Sequence, residues 1–497
     1  MTIPYQNSES IDAVLAPLRA ELAVRVREAL AKFAYSGDAV GAMVTEARMP
    51  NLTDEEQAAL LARLEPVTPI ACLVRAFGLQ LPTKEEDLRR ELGDEFVALC
   101  GEAGLWQRVG EAMTGSVVIM SHRDCFVLSD HETREGESAS AHWVMGIGTS
   151  SGQLAQSVIR RRYERLLDLC CGSGIQSFLL QGMAKEVVAI DRNPRALNMG
   201  RFGAAMSGYS HVEFRESDCY SAVAGETFDG IVCNPPFAIS PGRTKMYRDG
   251  GMRGDDFARR VISEAPAYLR EGGFAFFVCD VAAIGEATSE ARLREWVAGM
   301  NCDVVAITAA PTAVDAYVTA WVGGNEGEVA EWAAFLVETG VRSVSNWNVV
   351  LRKRSCGGAN WFRSEGMPKG VTGYFGAQIG RRFRNQDFLL QGEEAIWQGR
   401  LRMAPEVRVE RTARAEGGRW VTEGAKVLVT TGLTASSQLD PRTVDFFPLF
   451  DGVNTMEAIL GRVAGAMGVP ADKLRGGWLK YVSQLTLDGI LEDASND

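Results

Sequence analysis

The alternation of apolar and polar positions divides the chain into stretches of different period. Up to about residue 115 the apolar positions recur at helical spacing: Leu60, Leu61 and Leu64 follow Thr53-Asp-Glu-Glu56, and Leu88, Leu92, Phe96 and Leu99 follow Thr83-Lys-Glu-Glu86. Each tetrapeptide has the form of a capping box, in which the hydroxyl and the glutamate satisfy free N–H groups at a helix start. The apolar runs 117–120 and 125–128 then predict two short strands. Helices followed by a strand pair predict an N-terminal, mostly helical, winged-helix-like domain over 1–135, either a cap on its neighbour or a substrate-binding module.

From 136 to 350 strand-like and helix-like stretches alternate, which predicts a mostly parallel sheet with helices on both faces. Strands are expected at 166–169, 187–190, 212–214, 228–233 and 274–278, with further ones at 304–308, 318–321 and 344–351. Residues 351–425 are rich in Gly, Arg and aromatics with weak periodicity, and read as a connecting segment. Beyond 426 order returns: Asn454-Thr-Met-Glu457 opens a helix through Ile459 and Val463, a second helix runs over 471–487, and 488–492 reads as a turn and wing strand. This predicts a C-terminal winged-helix-like domain over 426–497. The fold class is therefore α/β, a Rossmann-like sheet flanked by two smaller modules.

Length and charge refine this picture. A chain of 497 residues exceeds the size of a single core, so two to four domains are expected. The net charge of -12 argues against general attraction to polyanions. Locally the balance differs, since residues 341–420 hold 15 Lys/Arg against 7 Asp/Glu. Within them Arg352-Lys-Arg354, Trp361-Phe362 and Arg381-Arg-Phe-Arg384 offer phosphate contacts and stacking surfaces, so 352–384 is a candidate RNA contact. The bland alternative is a solvated loop paired with the acidic N-terminal third. The start of the chain lacks the basic and apolar run of a signal peptide, and the apolar run 272–285 is too short to span a bilayer and contains Asp280, so a cytoplasmic protein is expected. The ten cysteines include no Cys-x-x-Cys pair and only four histidines accompany them, which predicts reduced thiols and no metal site.

Two segments carry chemistry. In the first, a strand ends at Asp168 and turns through Cys170, Gly172 and Gly174, where the missing Cβ lets backbone N–H groups approach a ligand. Asp191 ends the next strand, where a carboxylate can accept from both hydroxyls of a ribose, and Asp218 follows the third strand, where an adenine amino group would be read. Position 177 holds Ser where a dinucleotide fingerprint would have a third glycine, which argues against NAD. In the second segment, Asn234-Pro-Pro-Phe237 follows the fourth strand. The Asn234 side-chain oxygen and the Pro235 carbonyl can accept two N–H bonds from a planar nitrogen, the prolines hold that carbonyl in place, and Phe237 can stack on the planar group.

With these residues in this order the chain resembles, over about 140–345, the class I S-adenosylmethionine-dependent methyltransferases. It is most similar to the "methyltransferase small" branch, which includes release-factor glutamine N5-methyltransferases and ribosomal RNA guanine N2-methyltransferases. The resemblance rests on Asp168 to Gly174, Asp191-Arg-Asn-Pro-Arg-Ala-Leu197, Asp218 and Asn234 to Phe237, and extends to Asp249-Gly-Gly251 with Gly254. Cys170 stands where the family usually has the loop's first glycine, and Phe237 where the glutamine enzymes carry Tyr. The resemblance implies that Asp168, Cys170, Gly172, Gly174, Asp191, Arg192, Asp218, Cys219 and Asn234 hold S-adenosylmethionine, and that Asn234, Pro235 and Phe237 act on the acceptor. The expected activity is N-methylation of a planar amino or amide nitrogen on an RNA base or a protein. The alternatives are a peptide or small-molecule natural product as acceptor, with the terminal modules as recognition or lid elements, and a binding protein that has lost catalysis.

Overall fold

The computed structural model describes residues 17–44, 54–65, 67–122, 124–130, 142–242, 248, 250–322, 326–368, 371, 373–441 and 443–494. Thr53, proposed as a helix cap, and Asp249, part of the resemblance, lie outside them. Two compact units divide the chain, one built from the residues up to 155 with 161–306 and 310–362, the other from 156–160, 307–309 and 363 onward.

The first unit is organised by a central sheet. Seven of its nine strands are β1 (Tyr163–Leu169), β2 (Ala184–Asp191), β3 (Val212–Glu216), β4 (Phe228–Cys233), β5 (Leu269–Ile284), β6 (Cys302–Thr308) and β7 (Val341–Lys353), in the order 3-2-1-4-5-7-6. β1 pairs in parallel with β2 and β4, β2 with β3, and β4 with β5, whereas β7 runs antiparallel to β5. Parallel strands must be covered on both faces, and five of the six residues of β4 are buried. The α/β, Rossmann-like class expected from the alternation is what the chain adopts. Because the strand order reverses between β1 and β4, a crevice opens at their carboxyl ends.

The helix Pro194–Ser207 shows how the sequence builds the layer over this sheet. Asn193 caps it by accepting from the Arg195 N–H at 3.0 Å, Pro194 occupies its first turn, and Gly208 at φ 75° ends it. Met199, Phe202 and Met206 pack into one core with Val26, Leu30, Phe77 and Phe96 of the N-terminal helices. Burying Phe202 alone contributes roughly 2 kcal/mol. Close approach to the sheet requires glycine at 200, where a Cβ would stand 2.4 Å from the Phe214 ring.

Several expectations are corrected. Residues 318–321 form no strand; they belong to the helix Val314–Val322. Val314, Tyr317, Val318 and Trp321 repeat at the spacing of one helical face, and a short apolar window hides that period. The single helix expected through Leu88 and Leu99 is two, Glu85–Leu92 and Asp94–Glu102, because Gly93 sits between them at φ 84°. Thr83 does not cap: it lies in strand pairing opposite Met113, and its hydroxyl accepts from Arg75 Nε at 3.1 Å. The hairpin Val118–His122 with Cys125–Ser129 is as expected. A second one, Trp106–Val109 with Ala112–Gly115, escaped the pattern.

In the second unit the stretch read as weakly periodic is ordered. It holds the helix Gly376–Leu390, which buries Ile379, Phe383 and Phe388, and the antiparallel sheet of Val407–Glu416, Arg419–Val429 and Ala435–Leu439. A further small sheet places Arg400–Met403 between Asp451–Thr455 and Leu491–Asp493, beside the helices Met456–Met467 and Ala471–Leu487. The cap of the first of these helices is Thr455, accepting from Ala458 N–H at 3.2 Å, and not Asn454, whose amide donates to Asp451.

The basic stretch is spent on internal ion pairs. Arg381, 4% exposed, donates to Glu492 at 2.9 Å, to Glu406 at 2.7 Å and to the Gly489 carbonyl at 2.8 Å. Arg382, also buried, forks onto Glu365 at 2.9 and 3.1 Å. In the first unit Arg352 and Arg354 both donate to Asp303, which is fully buried. These guanidinium groups are not presented to phosphates, so the expected RNA contact through 352–384 loses most of its cations. Removing one partner of a buried pair leaves a charge uncompensated, which costs about 3 kcal/mol or more, whereas exposed pairs cost under about 1 kcal/mol. Arg381→Ala is therefore expected to destabilise the protein by about 3 kcal/mol in urea unfolding; a loss below about 1 kcal/mol would show the pair to behave as a surface contact.

Candidate active site

The carboxyl ends of β1, β2, β3 and β4 surround a cavity of about 280 Å³. The turn after β1 supplies Cys170 and Gly172, β2 ends in Asp191 followed by Arg192, Asp218 and Cys219 follow β3, and Asn234 and Pro236 follow β4. Seven of the expected site residues thus meet in one wall: Cys170, Gly172, Asp191, Arg192, Asp218, Cys219 and Asn234.

The remaining four stand behind or beside it. Gly174 turns the loop into the short helix Ile175–Leu179 at φ 84°, where an added Cβ would meet the Phe214 ring at 3.0 Å. Asp168 is buried; its Oδ2 accepts from the Ser177 N–H at 2.8 Å and the Ser177 hydroxyl at 2.7 Å, while its Oδ1 has no hydrogen-bond partner. Serine at 177 thus secures the loop from beneath. Pro235 is buried outside the cavity wall. Phe237 also does not line it; half-buried, it meets Trp321 edge to face with centroids 5.9 Å apart.

Asp191 fixes the cradle. Its Oδ2 accepts from Gly172 N–H and its Oδ1 from Asn193 N–H, both at 2.8 Å. Burial pushes its carboxyl up, while these N–H groups pull it down. Each carboxylate oxygen retains a lone pair for a ligand hydroxyl. Asp218 is more open and faces Arg260 at 3.6 Å.

Asn234 is held from the opposite side. Its Nδ2 donates to the Ser150 hydroxyl at 3.2 Å and the Ser151 hydroxyl at 3.4 Å, and its Oδ1 has no hydrogen-bond partner. Gln176, in the same wall, donates to the Ser151 carbonyl at 2.9 Å and likewise leaves its buried Oε1 unpartnered. A buried acceptor without a donor costs free energy that a ligand N–H or cation can recover. The wall therefore matches a ligand rich in hydroxyl and amino donors and carrying positive charge. Ser150, Ser151, Gln176 and Arg260 were not anticipated: a serine pair 83 residues or more from Asn234 in sequence and a buried glutamine give no periodic or motif signal. Among the described residues no group of three or more His, Cys, Asp or Glu side chains is placed to hold a metal ion, and no helix is long and apolar enough to cross a membrane.

Residues 145–297 match the methyltransferase small domain family. The matched residues span β1 to β5 and most of the residues that line the cavity. Relatives include a release factor glutamine methyltransferase of Xylella fastidiosa, 28% identical over 196 residues that cover 37% of this chain and 63% of that protein. A ribosomal protein uL3 glutamine methyltransferase of Bordetella pertussis is 32% identical over 123 residues, covering 22% and 41%. A putative protein N5-glutamine methyltransferase of Methanocaldococcus jannaschii is 30% identical over 127 residues, covering 24% and 64%. The chain spans less than two thirds of the length of each of these relatives.

Burial without a cationic partner raises the Asp168 carboxyl to about 7, with the two Ser177 bonds opposing. Its folded value lies above its unfolded one, so between about pH 4 and pH 7 the native state binds more protons than the unfolded state. Stability from this group is then complete below about pH 4, falls as pH rises, and is flat above about pH 7. We expect the stability difference between the parent protein and Asp168→Asn to move against the parent by a few kcal/mol across that window, at about 1.4 kcal/mol for each pH unit crossed. Denaturant melts at four pH values would check this, and a difference constant with pH would show Asp168 to be ionised throughout.

Proposed function

We propose that this chain is an S-adenosylmethionine-dependent N-methyltransferase whose acceptor is a planar amide nitrogen of a protein. The observation that carries the reading is Asn234: it lines the cavity, its Nδ2 is engaged by two hydroxyls, and its Oδ1 is left as an unpartnered acceptor. The names of the relatives, all protein glutamine methyltransferases, favour an amide over a base. The internal pairing of Arg352, Arg354, Arg381 and Arg382 removes the main support for RNA.

The residues present fit the cofactor. Asp191 would accept from the ribose hydroxyls, Asp218 would read an adenine amino group, the turn at Gly172 would admit close backbone approach, and Gln176 Oε1 would offer an acceptor to the cofactor's amino group. When bound, the cofactor supplies an electrophilic methyl group on a sulfonium, whose cleavage leaves a neutral thioether.

An amide nitrogen is a poor nucleophile because its lone pair is delocalised into the carbonyl. Asn234 Oδ1, accepting one N–H, would hold the nitrogen against that delocalisation and aim its lone pair at the cofactor, whereas the Pro235 carbonyl, expected to accept the other, lies outside the cavity wall. The nitrogen gains the methyl carbon and releases one proton to solvent, so no strong base is required. The protein's contribution is then orientation and exclusion of water.

Transfer from tritiated cofactor into separated protein, RNA and metabolite fractions tests the acceptor: label is expected in protein, recovered as N-methylglutamine after enzymatic digestion. Label confined to RNA or to small molecules would overturn the protein-amide reading. Asn234→Ala is expected to abolish transfer while leaving cofactor affinity intact, a fall in kcat alone; transfer at the parent rate would make the tetrapeptide structural.

Asp191→Ala removes the ribose acceptor and also frees Gly172. Cofactor affinity measured by calorimetry should weaken by about 1.5 to 3 kcal/mol. Unchanged affinity in the folded variant would remove Asp191 from the binding site.

A further inference from the structure

We propose that Ser150, Ser151 and Gln153, on the single helix Thr149–Ser157, are positioning residues that pin both ends of the acceptor loop 234–239; the proposal rests on the reading of Asn234 as the ligand of the acceptor nitrogen. At the first end the two N–H bonds of Asn234 Nδ2 find two hydroxyl acceptors, at 3.2 Å and 3.4 Å. Because a hydroxyl can donate or accept, the serine pair fixes the plane of the amide, and an N–H donor arriving in the cavity selects the orientation with Oδ1 inward. An unsupported asparagine would turn freely and offer its own N–H groups to the acceptor half of the time, a donor against a donor.

At the other end the same helix acts through a chain of polar groups, part-buried at Gln153 and Asn346 and buried at Asp280 and Tyr317. Gln153 Nε2 donates to Asn346 Oδ1 at 2.9 Å, and Asn346 Nδ2 donates to Asp280 Oδ1 at 2.8 Å. The Tyr317 hydroxyl donates to Asp280 Oδ2 at 2.9 Å and accepts from the Ile239 N–H at 2.9 Å. Asp280 and Tyr317 are each 5% exposed, so these bonds compete little with water and reinforce one another. β5, β7 and the helix Val314–Val322 thus contribute one residue each to a relay that ends on the backbone of the loop. The loop that carries Asn234 would be held at two fixed points, Asn234 and Ile239. Misplacing a reacting group by as little as about 1 Å can cost on the order of a hundredfold in rate, which gives such pinning its effect on turnover.

The proposal separates from a merely structural role by two readouts. Exchange of the Asn234 side-chain amide hydrogens, followed by nitrogen-15 NMR, should be about tenfold or more faster in the double variant Ser150→Ala, Ser151→Ala than in the parent, for a lost bond of about 1.4 kcal/mol. Unchanged exchange overturns the proposal whatever the acceptor proves to be. In methyl transfer to the labelled protein fraction, the double variant and Gln153→Leu should each lose about tenfold or more in kcat with cofactor affinity within about twofold, and Ser150→Thr, Ser151→Thr should restore the rate. If the double variant does not fold, the single serine variants carry the same comparison. Parent-like kcat in the serine variants, with Asn234→Ala inactive, overturns the positioning while the functional reading stands. Parent-like transfer by Asn234→Ala overturns the functional reading itself, and the exchange measurement still decides whether the serines hold the amide.

Discussion

The two hydrogen bonds made by Asp191 are the constraint on which the site depends. One carboxylate takes the Gly172 N–H of the turn after β1 and the Asn193 N–H at the start of the helix Pro194–Ser207. It thereby ties the glycine turn to a helix whose other face belongs to the N-terminal core through Met199, Phe202 and Met206. The position of the glycine turn in the cavity wall is consequently set by the packing of helices on the far side of that helix. In the function proposed the same residue has two tasks, since the lone pairs not used by the backbone are the ones a ribose would take. Its replacement would loosen the cradle as well as remove a contact.

How much was legible follows from which interactions are local. The glycine turn, Asp191 and Asn234 could be placed together because each depends on its own strand end, and a strand that ends in a tight turn restricts residue type sharply, whereas Pro235 and Phe237 do not line the cavity. The seven strands β1 to β7 were likewise read from short apolar runs between turn residues. Val318 to Trp321 was misread because four apolar-rich residues do not distinguish a strand from one turn of a buried helix. Ser150, Ser151 and Gln176 could not be read at all. Their roles arise from the sheet bringing Thr149–Ser157 against the end of β4, a juxtaposition of residues more than eighty positions apart for the serines and Asn234.

The basic stretch shows the same limit for charge. Fifteen cations against seven anions over 341–420 describe a local excess, but charge balance in a fold is settled between segments. Arg381 is neutralised by Glu406 and by Glu492, the latter 111 residues away, and Arg352 and Arg354 by Asp303, about fifty residues earlier. A guanidinium that is buried and paired is worth retaining because breaking the pair is costly, and it is unavailable to an external phosphate for the same reason. Counting charges along a window therefore overstates what the surface offers.

Backbone strain marks the site independently of any motif. Of the described non-glycine residues with positive φ, Cys170 at 57° and Cys219 at 47° both line the cavity, one after β1 and one after β3. A side chain in that region costs about 1 to 2 kcal/mol, and only a surrounding structure that fixes the backbone tightly will hold it there. At position 170 a glycine would avoid the cost, as the resembling family's usual residue does. The cysteine instead packs its side chain against the core beneath the sheet's carboxyl edge. The left-handed turn goes with the bonds its neighbours make, Cys171 N–H to the Ile190 carbonyl and Gly172 N–H to Asp191, and residue choice at 170 follows second: the geometry of the turn is more demanding than the identity of the amino acid that adopts it.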